Sequence, residues 1–131
     1  MEETVLLYNI DKTEPGKAMI SILKKLDVKV VIVKTKDLMN PVGYLLGNSD
    51  YKRSTDKIKE VPQDEMMVLS GFDDKQVDVL LQIFQKANIP FIPLKAIVTE
   101  TNIEWSFLQL LNNVKNEYMH LTGMNKDISM L

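Results

Sequence analysis

A lysine, two threonines, an asparagine and the chain's single tryptophan fall within PLKAIVTETNIEW, residues 93 to 105. Such a grouping suits an anion site at a helix start. Free amides of a first helical turn attract phosphate or carboxylate, and a nearby ammonium adds charge. On this reading Lys95, Thr99, Thr101, Asn102 and Trp105 are the binding residues, with Trp105 placed to stack on the ligand. A plainer reading uses the same side chains. Thr101 followed by Glu104 has the spacing of a capping box, Asn102 is an alternative cap, Lys95 ends a strand with its amine in water, and Trp105 packs at the edge of the core. No glycine-rich loop precedes the segment, so a nucleotide cradle of the usual kind is not indicated.

Other chemistry is thinner. In an open parallel sheet ligands gather beyond the carboxyl ends of the strands where the winding reverses, which would bring Asn9, Asp11 and Lys12 toward Ser70, Gly71, Asp73 and Asp74. Asp11, Asp73 and Asp74 are weak metal candidates there. Asp73 already suits a helix cap, Asp74 a first helical turn, and the set lacks defined ligand spacing. His120, the only histidine, lies three residues after Glu117 near a helix C-terminus, where a favourable dipole interaction accounts for it. No serine sits in a recognisable nucleophile elbow. Neither a catalytic residue nor a cofactor is expected.

The sequence contains no cysteine, which excludes disulfides, thiolate catalysis and cysteine-ligated metal centres. Net charge is −2, and a single arginine, Arg53, stands among sixteen basic residues, so no phosphate-backbone footprint is expected and nucleic acid is not a predicted partner. MEETVLLYNI lacks the basic and long apolar regions of a secretory signal, and no apolar run approaches a membrane span. A cytoplasmic location without membrane contact is the resulting expectation.

These residues must be positioned by alternating apolar and amphipathic segments. Strands are predicted at 4–10, 28–34, 66–70 and 91–98, all in one domain covering 1–131. Met19, Ile22, Leu23 and Leu26 mark a first helix. Asp37 to Leu46 forms a short second one, with Pro41 in its first turn. Asp73 with Gln76 caps a third helix carrying Val77, Leu80, Leu81 and Phe84. The last helix carries Ile103, Phe107, Leu110, Leu111, Val114, Tyr118 and Leu121 before Gly123, which suits a C-terminal cap. Residues 47–65 read as a mobile loop and 123–131 as a flexible tail.

Sliding the chain by 61 positions sets Met19, Leu23 and Val28 on Leu80, Phe84 and Ile89, and Lys34 on Lys95; a later gap sets Leu45 and Leu46 on Leu110 and Leu111. Residues 5–46 and 66–111 therefore read as a duplicated βαβα unit. Strands without polar alternation indicate a sheet covered on both faces. The predicted fold is α/β, a three-layer sandwich of a four-stranded, mainly parallel sheet in the order 2-1-3-4. First and last helices share one face and the middle two the other, and Pro90 and Pro93 hold strand four at an edge. A ferredoxin-like split βαβ with two added helices is the alternative.

PLKAIVTETNIEW, with VLSGF at 68–72 and NEYMHL at 116–121, resembles a family of short bacterial proteins known only as a domain of unknown function, over roughly residues 66 to 121. The resemblance implies Lys95, Thr99, Asn102, Trp105, Glu117 and His120 as positions of interest and a bacterial cytoplasmic setting. It implies no activity. A non-enzymatic binding or regulatory module engaging a protein partner through its tail, loop or edge strand is the leading expectation, and a binder of a small anion or nucleotide phosphate at PLKAIVTETNIEW the alternative. Oligomeric state is not encoded in any of these features.

Overall fold

The computed structural model describes residues 2–130, the side chains of residues 122–130 excepted. Four strands, β1 (Thr4–Tyr8), β2 (Lys29–Val33), β3 (Met66–Ser70) and β4 (Leu94–Ile97), form one sheet in the order β2-β1-β3-β4. Pairings β1–β2 and β3–β4 are parallel, while the central pair β1–β3 is antiparallel. The sheet is thus mainly parallel and in the expected order, with both Pro-flanked β4 and β2 at its edges.

Helix α1 (Glu14–Lys25) starts at Thr13, whose side chain accepts from the Gly16 amide, and carries Pro15 in its first turn, where a missing N–H costs nothing. Helix α3 (Asp74–Lys86) starts at the predicted capping box. The Gln76 amide donates to Asp73 Oδ1 at 2.8 Å and the Asp73 amide to Gln76 Oε1 at 2.9 Å. Both helices cover the same face, where Val5 and Leu7 of β1 and Met67 and Leu69 of β3 meet Met19, Leu23, Leu80 and Phe84. On the other face Leu6, Tyr8, Met66, Val68 and Leu94 meet Leu38, α2 (Val42–Leu45) and Phe107, Leu110 and Leu111 of α4 (Phe107–Met130). This corrects the expected distribution of first and last helices on one side. Two right-handed βαβ crossovers that diverge from a parallel junction place their helices on opposite faces; diverging from an antiparallel junction, they place them on the same face.

Several local features recur in the two halves. Left-handed Asn9 (φ 62°) follows β1, and Gly71 (φ 83°) follows β3. At the ends of α1 and α3 the amides of Leu26, Asp27 and Val28 donate to the carbonyls of Ile22, Lys24 and Leu23. Those of Ala87, Asn88 and Ile89, 61 positions on, donate to Ile83, Gln85 and Phe84. Asp27 and Asn88 both hold positive φ, 61° and 60°. Beyond this point the correspondence lengthens. Lys29 begins β2 three positions after Leu26, whereas Leu94 begins β4 seven positions after Ala87, so Asn88 to Pro93 adds four residues to the second half. By register with β1 and β3, Lys95 matches Val30, and Lys34 matches Thr99 rather than Lys95.

The halves also meet away from the sheet centre, where Pro41 and Ser106 form an isolated antiparallel bridge. Val42 N donates to Trp105 O at 2.8 Å, and Phe107 N to Asn40 O at 3.0 Å, an exchange expected of two segments related by a local two-fold. The connection at 47–65 carries no regular structure. It is nevertheless tied down: Tyr51 lies over Gly43, where an added Cβ would meet its ring at 2.3 Å; the Ser54 amide donates to buried Asn40 at 2.9 Å; and Tyr8 Oη donates to Pro62 O at 2.7 Å. Helix α4 runs through Gly123, so that glycine does not end it. The side chains of the predicted tail, and Leu131, lie outside the described residues.

Candidate functional site

PLKAIVTETNIEW contains all of β4 and the turn that follows it, and stops short of α4. A 3₁₀ turn at Asn102–Glu104 separates β4 from α4. Asn102 is 8% exposed and both ends of its side-chain amide are bonded: Oδ1 accepts from Thr99 N at 2.8 Å and Nδ2 donates to Ile97 O at 3.0 Å, while the Asn102 backbone amide donates to Thr99 Oγ1 at 3.1 Å. Asp37 makes the equivalent bond in the first half, accepting from the Lys34 amide at 3.0 Å. Thr99 and Asn102 are therefore brought together as a reciprocal brace for the turn. Thr101 makes no side-chain capping bond. The predicted box with Glu104 is replaced by Ser106, whose hydroxyl accepts from Gln109 N at 3.0 Å at the true start of α4. Trp105 packs half-buried among the residues of the α2/α4 face.

Lys95 goes the other way. Leu94 and Ala96 of β4 point to the α2/α4 core, so the intervening Lys95 side chain enters the α1/α3 side, on the opposite face from Trp105. The five residues expected to form one anion site are thus split into a turn brace of Thr99 and Asn102, an exposed Thr101, a packed indole and a lysine across the sheet. The acids are parted as well. Tyr8 pairs with Met66 and Thr4 with Ser70, so Asp11 and the Asp73/Asp74 pair lie beyond opposite ends of the sheet, roughly 15 Å of strand apart. Among the described residues no group of three histidine, aspartate or glutamate side chains gathers to hold a metal. Glu117 and His120 are both exposed on α4.

Lys95 stands at a cavity of about 590 Å³ between α3, α1 and the Asn88–Pro93 segment. Met19, Met67, Leu81, Phe84 and Ile92 supply apolar walls, with Gln85 and Asn88 also contributing to the lining. The Lys95 ammonium donates to the Ile92 carbonyl and sits 3.9 Å from the centroid of the Phe91 ring, a cation–π contact. Burial pushes its pKa below the ordinary lysine range, because desolvation penalises the charged form. Among the described residues no carboxylate pairs with it. An adjoining cavity of about 310 Å³ shares Met19 and residues 89–92, so the Asn88–Pro93 segment walls both.

The position of β2 that corresponds to Lys95 by strand register holds a different residue. There Val30 takes the place of Lys95 and packs against the α1/α3 core. The sequence pattern extends the last strand over Phe91 and Ile92 and so does not reveal these walls; in the structure β4 begins only at Leu94. A signal was present in NIPFIP: two prolines three residues apart deny that segment two ladder donors and bend it from the sheet.

Residues 65–120 match the family model described as a domain of unknown function, DUF3783. The match agrees with the expected resemblance to an uncharacterised family and spans β3, α3, β4 and the first part of α4, less than half of the chain. No curated protein and no solved structure matches the chain. No helix among the described residues is long and apolar enough to cross a membrane.

Proposed function

We propose that this chain is a non-catalytic binding module that holds a small ligand in the Lys95 cavity. One observation carries this reading: an ammonium without an anionic partner among the described residues stands at an apolar cavity of ligand size, at the place where the second half departs from the first. A lysine replacing a packed valine costs stability unless something compensates, and a bound ligand would do so. The bonding pattern repeated around Asn9 and Gly71 and at both helix ends supports descent of the two halves from one duplicated βαβα unit. The setting, from the resemblance, is the bacterial cytoplasm.

The competing reading, engagement of a protein partner, draws on Phe91, which is 74% exposed beside the edge strand β4. Amide-resonance mapping separates the two. Titration with a mixed panel of small apolar, anionic and cationic compounds should produce saturable shifts confined to α1, α3 and residues 88–95, and Leu81→Trp, which fills the cavity, should abolish them while leaving the spectrum otherwise dispersed. If no compound shifts those resonances at millimolar concentration, the cavity reading is withdrawn in favour of the partner.

A further inference from the structure

The cavity's chemistry narrows its ligand, on the premise that the cavity is a binding site. Met19, Leu81, Phe84 and Ile92 offer an apolar wall, and the unbranched, flexible Met19 adapts to an irregular apolar body. Among the described residues Lys95 is the only titratable one lining the cavity; Glu65 lines the adjoining one. One of three ammonium donors is taken by the Ile92 carbonyl, and the Phe91 ring covers one side of the charge. The remaining donors suit a single acceptor group of opposite charge, and in a low-dielectric recess such a charge-assisted pair is stronger than at the surface.

The charge count decides between kinds of anion. A phosphate monoester or a nucleotide brings about two or more negative charges at neutral pH, and one ammonium would leave the excess desolvated and unpaired against methionine, leucine and phenylalanine. A monocarboxylate brings one. An aliphatic or aryl chain on that carboxylate would cover the apolar walls, as bound ligands in cavities of several hundred Å³ commonly do. An amine would be repelled, and a neutral amide would leave the ammonium uncompensated.

We propose that the Lys95 cavity binds an apolar monocarboxylic acid, its carboxylate on Lys95 Nζ and its hydrocarbon body against Met19, Leu81, Phe84 and Ile92, beneath the Asn88–Pro93 segment. The four residues added after α3, together with the exchange of Val30's counterpart for lysine, are then what make the second half a binding half and leave the first a structural one.

The test uses the full chain with phenylacetate and hexanoate, compared with phenylacetamide and phenethylamine. Both carboxylates should bind saturably, with amide shifts centred on Met19, Leu81, Phe84 and Ile92, and the amide and amine at least tenfold more weakly. Lys95→Met should retain the parent melting curve to within a few degrees and lose at least tenfold in carboxylate affinity. Affinity should also fall as pH rises through the lowered Lys95 titration, a loss absent from Lys95→Met. If phenylacetamide or phenethylamine binds the cavity as well as phenylacetate, or Lys95→Met leaves carboxylate affinity intact, the ligand class is wrong although the cavity still binds. If none of the four shifts the cavity resonances, both this proposal and the reading it rests on are overturned.

Discussion

At Asn102 a single side chain accepts from the Thr99 amide and donates to the Ile97 carbonyl while nearly buried. Asn102→Ala should therefore cost about 1–3 kcal/mol, seen as a lower denaturant midpoint at unchanged slope, because two backbone groups lose partners. Thr101→Ala should stay within about 0.5 kcal/mol, since Thr101 is exposed and makes no capping bond; a larger loss there than at Asn102 would refute this account of the turn. Lys95 gives a pH signature. With its folded pKa lowered by burial, the unfolded chain holds that proton more tightly, so stability rises with pH between the folded value and the ordinary lysine value. Melting curves of parent and Lys95→Met should accordingly converge as pH rises from neutrality toward 10, with the variant equal or higher at neutral pH; a gap that widens would contradict the desolvated environment. Emission from Trp105, on the other face, should not report a ligand at Lys95. Residue types announced a polar turn between Thr99 and Trp105, but not the direction of Lys95, which depends on register, and register here depends on how NIPFIP leaves the sheet.

Elements with local signals read well, and those defined by distant contacts did not. The box at Asp73 and Gln76 and the spacing of Met19, Leu23, Leu80 and Phe84 are properties of a few neighbouring residues, and α1 and α3 lie where these place them. Asp37 to Leu46, expected as one helix, divides into a 3₁₀ turn at Thr35–Asp37 and α2 after Pro41, because Asn40 and Val42 bond across to Phe107 and Trp105 instead of along a helix. No local pattern reveals such a partner. The same applies to the 47–65 connection, polar in composition yet anchored through Tyr51, Ser54 and Pro62. Hydrogen exchange should divide it. The Ser54 amide, held by buried Asn40, should exchange more slowly than those of residues 57–61, which belong to no ladder; Asn40→Ala should erase the difference, and equal rates in the parent would show that the anchor is not occupied in solution. Gly16 is a further fixed point, since a Cβ there would stand 1.6 Å from the Ile10 carbonyl oxygen. Gly16→Ala should cost about 3 kcal/mol by thermal unfolding, as α1 must be pushed off the end of β1.

For the molecule as a whole, the sheet order was legible but the relative direction of its halves was not. Val5 to Tyr8 and Met66 to Ser70 are covered on both faces, so neither strand alternates, and a buried strand presents the same pattern whichever way it runs. A connection as long as 34–65 could reach either end of the sheet. The antiparallel junction makes the β1–β3 ladder nearly self-complementary: Leu6 opposes Val68 at its centre, and the pairs Thr4–Ser70 and Tyr8–Met66 exchange places under a two-fold. This leads to a prediction about the segment 64–131, which contains the region matched by the family model. Without the first half, β3 would present an unpaired apolar edge, a state that sheets avoid by pairing with whatever strand is compatible. The compatible strand is β3 of a second copy, with Val68 on the axis and Ser106 facing Ser106 where Pro41 stood. The segment should therefore run as a dimer by light scattering at micromolar concentration, with the amides of β3 protected from exchange. Val68→Pro, which removes a central ladder donor, should abolish the dimer. A segment that stays monomeric, folded or not, would show that the match between the halves stops short of interchangeable pairing surfaces.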